Sequence, residues 1–166
     1  MVIRNIKEED NKALANIIRR TLEEFGANHP GTVYYDDEIN YLSEIFKADK
    51  STYFVVWDEE NNKVLGGGGI YPTKGLPQDT AELVKLYLLP ETRGKGIGKK
   101  LIDKCLNYAK EAGYSKVYLE SMDELSGAVG LYERMGFSYL DAPMGNSGHC
   151  YCGIWMMKEI GTLEVC

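Results

Sequence analysis

Leu86-Tyr87-Leu88-Leu89-Pro90-Glu91-Thr92-Arg93-Gly94-Lys95-Gly96-Ile97-Gly98-Lys99-Lys100 is the stretch on which the reading of this chain turns. Apolar residues run up to Pro90, three alternate glycines follow, and apolar residues then return at helical spacing: Ile97, Leu101, Ile102, Cys105, Leu106, Ala109. The pattern predicts a strand, a tight turn and a helix over residues 96–112, stopped by Gly113. The first N–H groups of a helix lack internal partners and sit at the positive end of its dipole. Aimed at one point, they bind an anion. Gly94, Gly96 and Gly98 let the backbone come close to a phosphate, and Arg93, Lys95, Lys99 and Lys100 add positive charge. A Rossmann turn needs G-x-G-x-x-G, but here the third glycine arrives one position early and Lys99 stands in its place. A Walker loop needs G-x-x-x-x-G-K-[ST], but counting back from Gly98-Lys99 puts Arg93 at the place of the required first glycine or beside it, and Lys100 replaces the hydroxyl residue. The trap is built for an anion other than those two.

Outward from the turn, hydrophobic periodicity predicts the other elements. Residues 2–6 read as a short strand, and Asp10 to Glu24 as an amphipathic helix with Leu14, Ile17, Ile18, Leu22 and Phe25 inward. Residues 26–31 form a loop, and residues 36–47 a second helix with Ile39, Leu42, Ile45 and Phe46 on one face. Strands follow at 52–57, 63–71 (with glycines 66 to 69) and 81–89. After the long helix come a strand at 116–121, a helix at 124–135 ended by Gly136, and strands at 137–140 and 150–158. The order, β-α-α-β-β-β-α-β-α-β-β, is a mixed sheet with helices on its faces. It is neither a βα barrel nor a doubly wound sheet. The glycine run means close backbone approach or a bulge, leaving either room for a substrate or tight packing under a helix.

The turn, the strand ending at Pro90 and the long helix together resemble the acetyl-CoA signature of the GCN5-related N-acetyltransferases (GNAT). Ala128-Val-Gly-Leu131-Tyr132-Glu-Arg-Met-Gly136-Phe137 resembles that family's later helix. The resemblance spans nearly the whole chain and implies an α+β (α/β) fold with a mostly antiparallel central sheet, as one domain over residues 1–166. It also implies acetyl-CoA as cosubstrate. Many members carry Asn three residues before Ala128, where this chain has Leu125, so one side-chain contact to the pantetheine arm is in question. By the same resemblance the arm pairs with the strand before the turn. The amides of Leu86 and Leu88 then face the cofactor with Tyr87 between them, and the Leu86 amide is placed to stabilise an oxyanion. The expected cofactor-binding set is Leu86, Tyr87, Leu88, Arg93, Gly94, Lys95, Gly96, Ile97, Gly98 and Lys99.

Acetylating an amine requires a positioned thioester, a base for the amine and a proton for the departing thiolate. By strict alternation residues 82, 84, 86 and 88 share one strand face. Glu82 is the carboxylate on that apolar face and the expected general base, unless it sits in water at the strand's start. His29 is the reserve base. Tyr132 is the expected acid, by the family's tyrosine near the thioester sulfur. The loops 25–35 and 141–148 are expected to flank an acceptor pocket, contributing His29, Tyr34, Tyr35, Asn146 and His149. That mixture suits a small-molecule primary amine attacking directly in a ternary complex. A non-catalytic acyl-CoA sensor and an acetylase of protein N-termini are the alternatives.

The bulk numbers narrow the field. With 166 residues, 44% hydrophobic and 27% charged, the chain reads as globular. A net charge of −6 argues against nucleic acid and suits a cationic substrate. No apolar run is long enough for a membrane span, and the start lacks a secretory pattern, so a cytoplasmic protein is expected. Cys105, Cys150, Cys152 and Cys166 are expected as free thiols. Cys150-Tyr151-Cys152 lacks the second ligand pair of a zinc site, so no metal is expected. A homodimer is compatible with the resemblance.

Overall fold

In the computed structural model, which describes residues 1–161, the side chains of strand β2 (Thr52–Asp58) alternate between two cores. Phe54 and Val56 enter one, Tyr53 and Val55 the other, the period-two alternation of a strand buried on both faces. The remaining strands are β1 (Val2–Asn5), β3 (Lys63–Tyr71), β4 (Thr80–Leu88), β5 (Lys116–Ser121), β6 (Ser138–Leu140) and β7 (Ile154–Glu159). They form a seven-stranded sheet in the order β1-β2-β3-β4-β5-β7-β6. β4 and β5 run parallel, and the other neighbours are antiparallel. Helices α1 (Asn11–Glu24) and α2 (Leu42–Ile45) cover one face, through Leu14, Ile18, Leu22 and Leu42. Helices α3 (Ile97–Glu111) and α4 (Ser126–Arg134) cover the other, through Leu101, Ile102, Cys105 and Val129. The mixed, mostly antiparallel sheet between helices is the architecture the sequence predicts.

Three elements differ from expectation. The helix predicted over residues 36–47 is two pieces, a short 3-10 turn (Asp37–Asn40) and α2, broken where Tyr41 leaves helical geometry at φ −143°. Polar side chains compete with the helix there. Asn40 bonds back to the Asp37 carbonyl at 3.1 Å, and Asn11 from α1 accepts the Ser43 N–H at 2.9 Å. Phe25 lies just past the end of α1 and is 41% exposed, with the Arg93 guanidinium 5.2 Å over its ring. The last strand begins at Ile154, so Cys150 and Cys152 sit in the loop before it. Cys105, Cys150 and Cys152 are free, and Cys166 lies outside the described residues. Among the described residues no helix is long and apolar enough to cross a membrane.

The register of β3 against β4 carries the functional consequence. Tyr71 faces Glu82, Ile70 faces Leu83 and Gly69 faces Val84; then the register shifts, and Gly67 faces Tyr87. Lys85 and Leu86 therefore oppose Gly68 alone, which is a β-bulge, and Lys85 adopts φ +52°. The extra residue reverses the alternation. Val84 packs toward α1 and α2, whereas Leu86 and Leu88 pack toward α3 and α4. The expectation that residues 82, 84, 86 and 88 share a face is corrected: Glu82 and Val84 lie on one side, Leu86 and Leu88 on the other.

The glycine run makes room for this arrangement rather than for a substrate. A Cβ at Gly67 or Gly69 would stand 2.5 Å from a β2 carbonyl oxygen and as close as 2.5 or 2.8 Å to the Tyr53 ring. A Cβ at Gly68 would press on Leu86 at 3.1 Å. Tyr53, 1% exposed, thereby crosses the sheet and its hydroxyl donates to the Lys85 carbonyl at 2.8 Å. Tyr53→Phe leaves that carbonyl without its partner and should cost about 1–3 kcal/mol. Urea unfolding checks this, and an unchanged midpoint would show that the hydroxyl does not hold the bulge.

Candidate active site

Parallel pairing of β4 with β5 covers only Thr80–Glu82 against Lys116–Tyr118. Beyond Glu82 the two strands part, and two clefts meet at the gap. The first, ≈ 460 Å³, lies on the α3/α4 side. Leu86 and Leu88 line it from β4, the glycine turn closes one end, and Leu131 and Tyr132 of α4 close another side. The second, also ≈ 460 Å³, opens on the α2 side. A small cavity of ≈ 50 Å³ joins them, sharing Leu83, Lys85 and Tyr87 with the first cleft and Glu82, Val84 and His149 with the second.

The turn has the geometry of an anion trap. Gly94 and Gly96 take φ +74° and +73°, a left-handed conformation that side chains resist, and a Cβ at either would point into open space. Gly98 serves differently, for its Cβ would meet Leu131 at 3.0 Å, so it is a packing residue. The first backbone bond of α3 runs from Lys100 N–H to Gly96 O at 3.2 Å, and no side chain caps the helix. The N–H groups of Ile97, Gly98 and Lys99 are left for a ligand. Of the residues expected to bind cofactor, Lys95 alone does not line the first cleft; it is exposed. Arg93 lines the cleft while its guanidinium is paired with Glu24 at 3.1 Å. Leu125 borders both the cleft and the joining cavity.

Glu82 is only 4% exposed, which answers whether it sits in water at the strand start. Burial pushes its carboxyl from the ordinary 4.5 to about 7. The Thr73 hydroxyl, donating to Oε1 at 2.6 Å, opposes that rise; Glu120 adds to it, and His149 and Lys85 work against it. Tyr132 is buried against Phe137, ring centroids 5.9 Å apart, and burial holds its phenol protonated well above the usual range. Glu82 thus faces the second cleft and Tyr132 the first, on opposite sides of the sheet.

Of the residues expected around the acceptor, Tyr35, Asn146 and His149 line the second cleft, and His149 Nε2 lies 2.6 Å from Asp36 Oδ2. His29 lines neither cleft. It pairs with Glu124 at 2.9 Å and stacks on Tyr151, so its reserve role as base is not supported by position. Tyr34 also lies outside, donating to Glu23 at 2.6 Å. Burial pushes the Cys105 thiol up to about 12, which leaves it inert.

Residues 12–137 match the model of the Acetyltransferase (GNAT) family. The chain belongs to that family. YjgM of Escherichia coli, described as an uncharacterized N-acetyltransferase, is 37% identical over 160 residues, covering 96% of this chain and 95% of its own. A GNAT acetyltransferase structure from Staphylococcus aureus superposes with a TM-score of 0.84 at 18% identity, over 96% of this chain and 98% of that one. The PaiA N-acetyltransferase of Thermoplasma acidophilum, solved in complex with coenzyme A, gives 0.73 at 21% identity, over 95% and 98%.

Sequence reasoning about this acetyltransferase missed Thr73, Lys85, Glu120 and the acidic run Asp36-Asp37-Glu38, all at the site. Glu120 alone left a signal, a carboxylate two residues from Tyr118 on an otherwise buried strand. The Glu82 shift has a sign that can be tested. The fold favours the protonated carboxyl, so Glu82 does no harm below the ordinary carboxylate range and weakens the fold as pH rises through about 7. Glu82→Gln should therefore raise stability by up to roughly 3 kcal/mol at about pH 8 and change little at about pH 4. Denaturation at both pH values checks it; equal effects would contradict a buried, high-pKa carboxyl.

Proposed function

We propose that this GNAT acetyltransferase moves the acetyl group of acetyl-CoA to a small-molecule primary amine in one ternary complex. The observation that carries the reading is the meeting of the two clefts at the β4/β5 gap, with a free helix N-terminus at one end and a buried carboxylate across the sheet. The turn at Arg93–Lys99 suits the pyrophosphate of coenzyme A, since converging N–H groups hold a diffuse double charge without a metal. Past Glu82 the β5-side edge of β4 has no strand partner. A pantetheine arm, which is a chain of amides, can add to it as a strand would. The thioester carbonyl then lies in the gap, where the amide of Leu86, the second residue of the bulge, is the candidate oxyanion donor.

An amine from the second cleft reaches that carbon from one side while the sulfur lies toward Tyr132 on the other. The incoming ammonium gives a proton to the Glu82 carboxylate, and the freed nitrogen attacks. The C–S bond breaks, the nitrogen loses a second proton, and the thiolate is released as thiol. The net yield is amide, thiol and one proton. A pKa near 7 keeps an appreciable fraction of Glu82 ionised at neutral pH while leaving it basic enough to act. The raised pKa of Tyr132 makes full proton transfer to a thiolate uphill, so its part is to donate a hydrogen bond as charge develops on sulfur. A pure acyl-CoA sensor has no use for a buried carboxylate that weakens its fold. The free thiols of Cys105, Cys150 and Cys152 suit the reducing cytoplasm.

Thiol release from acetyl-CoA across a panel of primary amines tests the reading. Glu82→Gln and Tyr132→Phe should each lower kcat by about 10²-fold or more, with coenzyme A affinity nearly intact. The rising limb of wild-type kcat/KM should fall near pH 7, where Glu82 ionises, and should vanish in Glu82→Gln. Full activity in both variants would remove this mechanism.

A further inference from the structure

Glu120 has no part in the chemistry above, yet it lines both the cofactor cleft and the joining cavity. It lies on the same face of β5 as Tyr118, which pairs in register with Glu82. Its two oxygens are fixed from two directions. The Tyr118 hydroxyl donates to Oε2 at 2.6 Å, and the Ser147 hydroxyl donates to Oε1. Tyr118 is fully buried and is itself set by the Met144 N–H at 3.1 Å. A carboxylate this firmly oriented stands across the gap from Glu82. Glu82 has Thr73 on Oε1 and no hydrogen-bond partner on Oε2 among the described residues. Among the described residues no side-chain nitrogen or oxygen sealed from solvent lacks a partner, so Oε2 touches open space, and Glu82 lines both the second cleft and the joining cavity. Two carboxylates sharing a small cavity repel each other unless a cation or a proton lies between them.

We propose that Glu120 anchors the acceptor: the amine enters as its ammonium ion and is held in the β4/β5 gap between Glu120 and Glu82. The proposal rests on the acetyl-transfer reading above. Glu120 keeps the ammonium in place by charge and hydrogen bonding while Glu82, lacking a donor on Oε2, takes the proton. The outer cleft extends the field, with Asp36, Asp37 and Glu38 on its wall against Lys74, Lys85 and His149. A carboxylate directly beside the amine would lie against Glu120 and Glu82, the two carboxylates that hold the ammonium. The acceptor class that follows is a small amine without an adjacent carboxylate. The loop that supplies Met144 and Ser147 also lines the acceptor cleft through Asn146 and His149, so it shapes the pocket and aims Glu120 together.

Charged and titratable groups face Glu82 from every packed element: Tyr71 of β3, Lys85 of β4, Tyr118 and Glu120 of β5, His149 with its partner Asp36, and Cys152 of the same loop, beside the uncharged Thr73. Glu120 is the one whose removal should ease ionisation of Glu82. Glycinamide and glycine, alike in shape and differing in the carboxylate, are the probes. The wild type should prefer glycinamide in kcat/KM, and Glu120→Gln should raise the glycinamide KM about tenfold and narrow that preference. The acid limb of the rate profile should move to lower pH. Glu120→Asp should recover part of the loss, and Ser147→Ala, which only loosens the anchor, should fall between. An active Glu120→Gln with unchanged amine KM and an unmoved limb overturns the anchor. If the wild type releases no thiol with any amine, the acetyl-transfer reading fails on its own. The anchor is then decided by equilibrium binding of glycinamide: weaker binding to Glu120→Gln than to the wild type supports it and equal binding overturns it.

Discussion

The hydrogen bond from Tyr53 to the Lys85 carbonyl fixes the one irregularity on which the site depends. A positive φ at a lysine is unfavourable, by about 1 kcal/mol or more, and persists only where the surroundings over-determine it. Here the glycine run in β3 lets a buried tyrosine reach across the sheet and hold that backbone. Without the bulge, β4 would continue in register, and Glu82 would share a face with Leu86 and Leu88. With it, the strand presents Glu82 to one side of the sheet and Leu86 and Leu88 to the other.

That division is the geometry on which the proposed acyl transfer relies. Nucleophile and leaving group must approach and depart a carbonyl carbon from different directions. A continuous sheet would wall them apart. The early parting of β4 from β5 opens the wall just past Glu82, and the small cavity joins the two sides. The two halves also differ in polarity. The cofactor side offers helix N–H groups and apolar surface, fit for a phosphate and a pantetheine chain. The other side carries carboxylates and aromatic rings, fit for an amine.

The site is bought with stability. Glu82 loses its hydration inside the sheet and finds a single protein donor, so its charged form is disfavoured. The neighbouring Glu120 deepens the penalty, while Lys85 and His149 relieve part of it. In the proposed mechanism a carboxyl held near neutrality by these opposing influences accepts a proton and releases it again, which an exposed glutamate at its ordinary pKa does poorly.

Local chemistry was legible in the chain itself. Alternating apolar residues, the glycine turn and the spacing of α3 are short-range patterns, and they determined the mixed sheet, the helix that begins at Ile97 and the left-handed turn before it. They also marked Glu82 as a carboxylate out of place, and Tyr132 by resemblance. Tertiary structure decided the rest. Strand alternation misplaced Leu86 and Leu88 because one extra residue in β4 reverses parity, and that residue is specified by Tyr53, 32 positions away. The second predicted helix broke because Asn11 in α1 bonds Ser43 across the same number of positions. Glu120, Thr73 and the acidic run from Asp36 gather around Glu82 only once the sheet is assembled. Periodicity reports what one element does with its own residues; which side chains meet across a gap is settled by packing between elements distant in sequence.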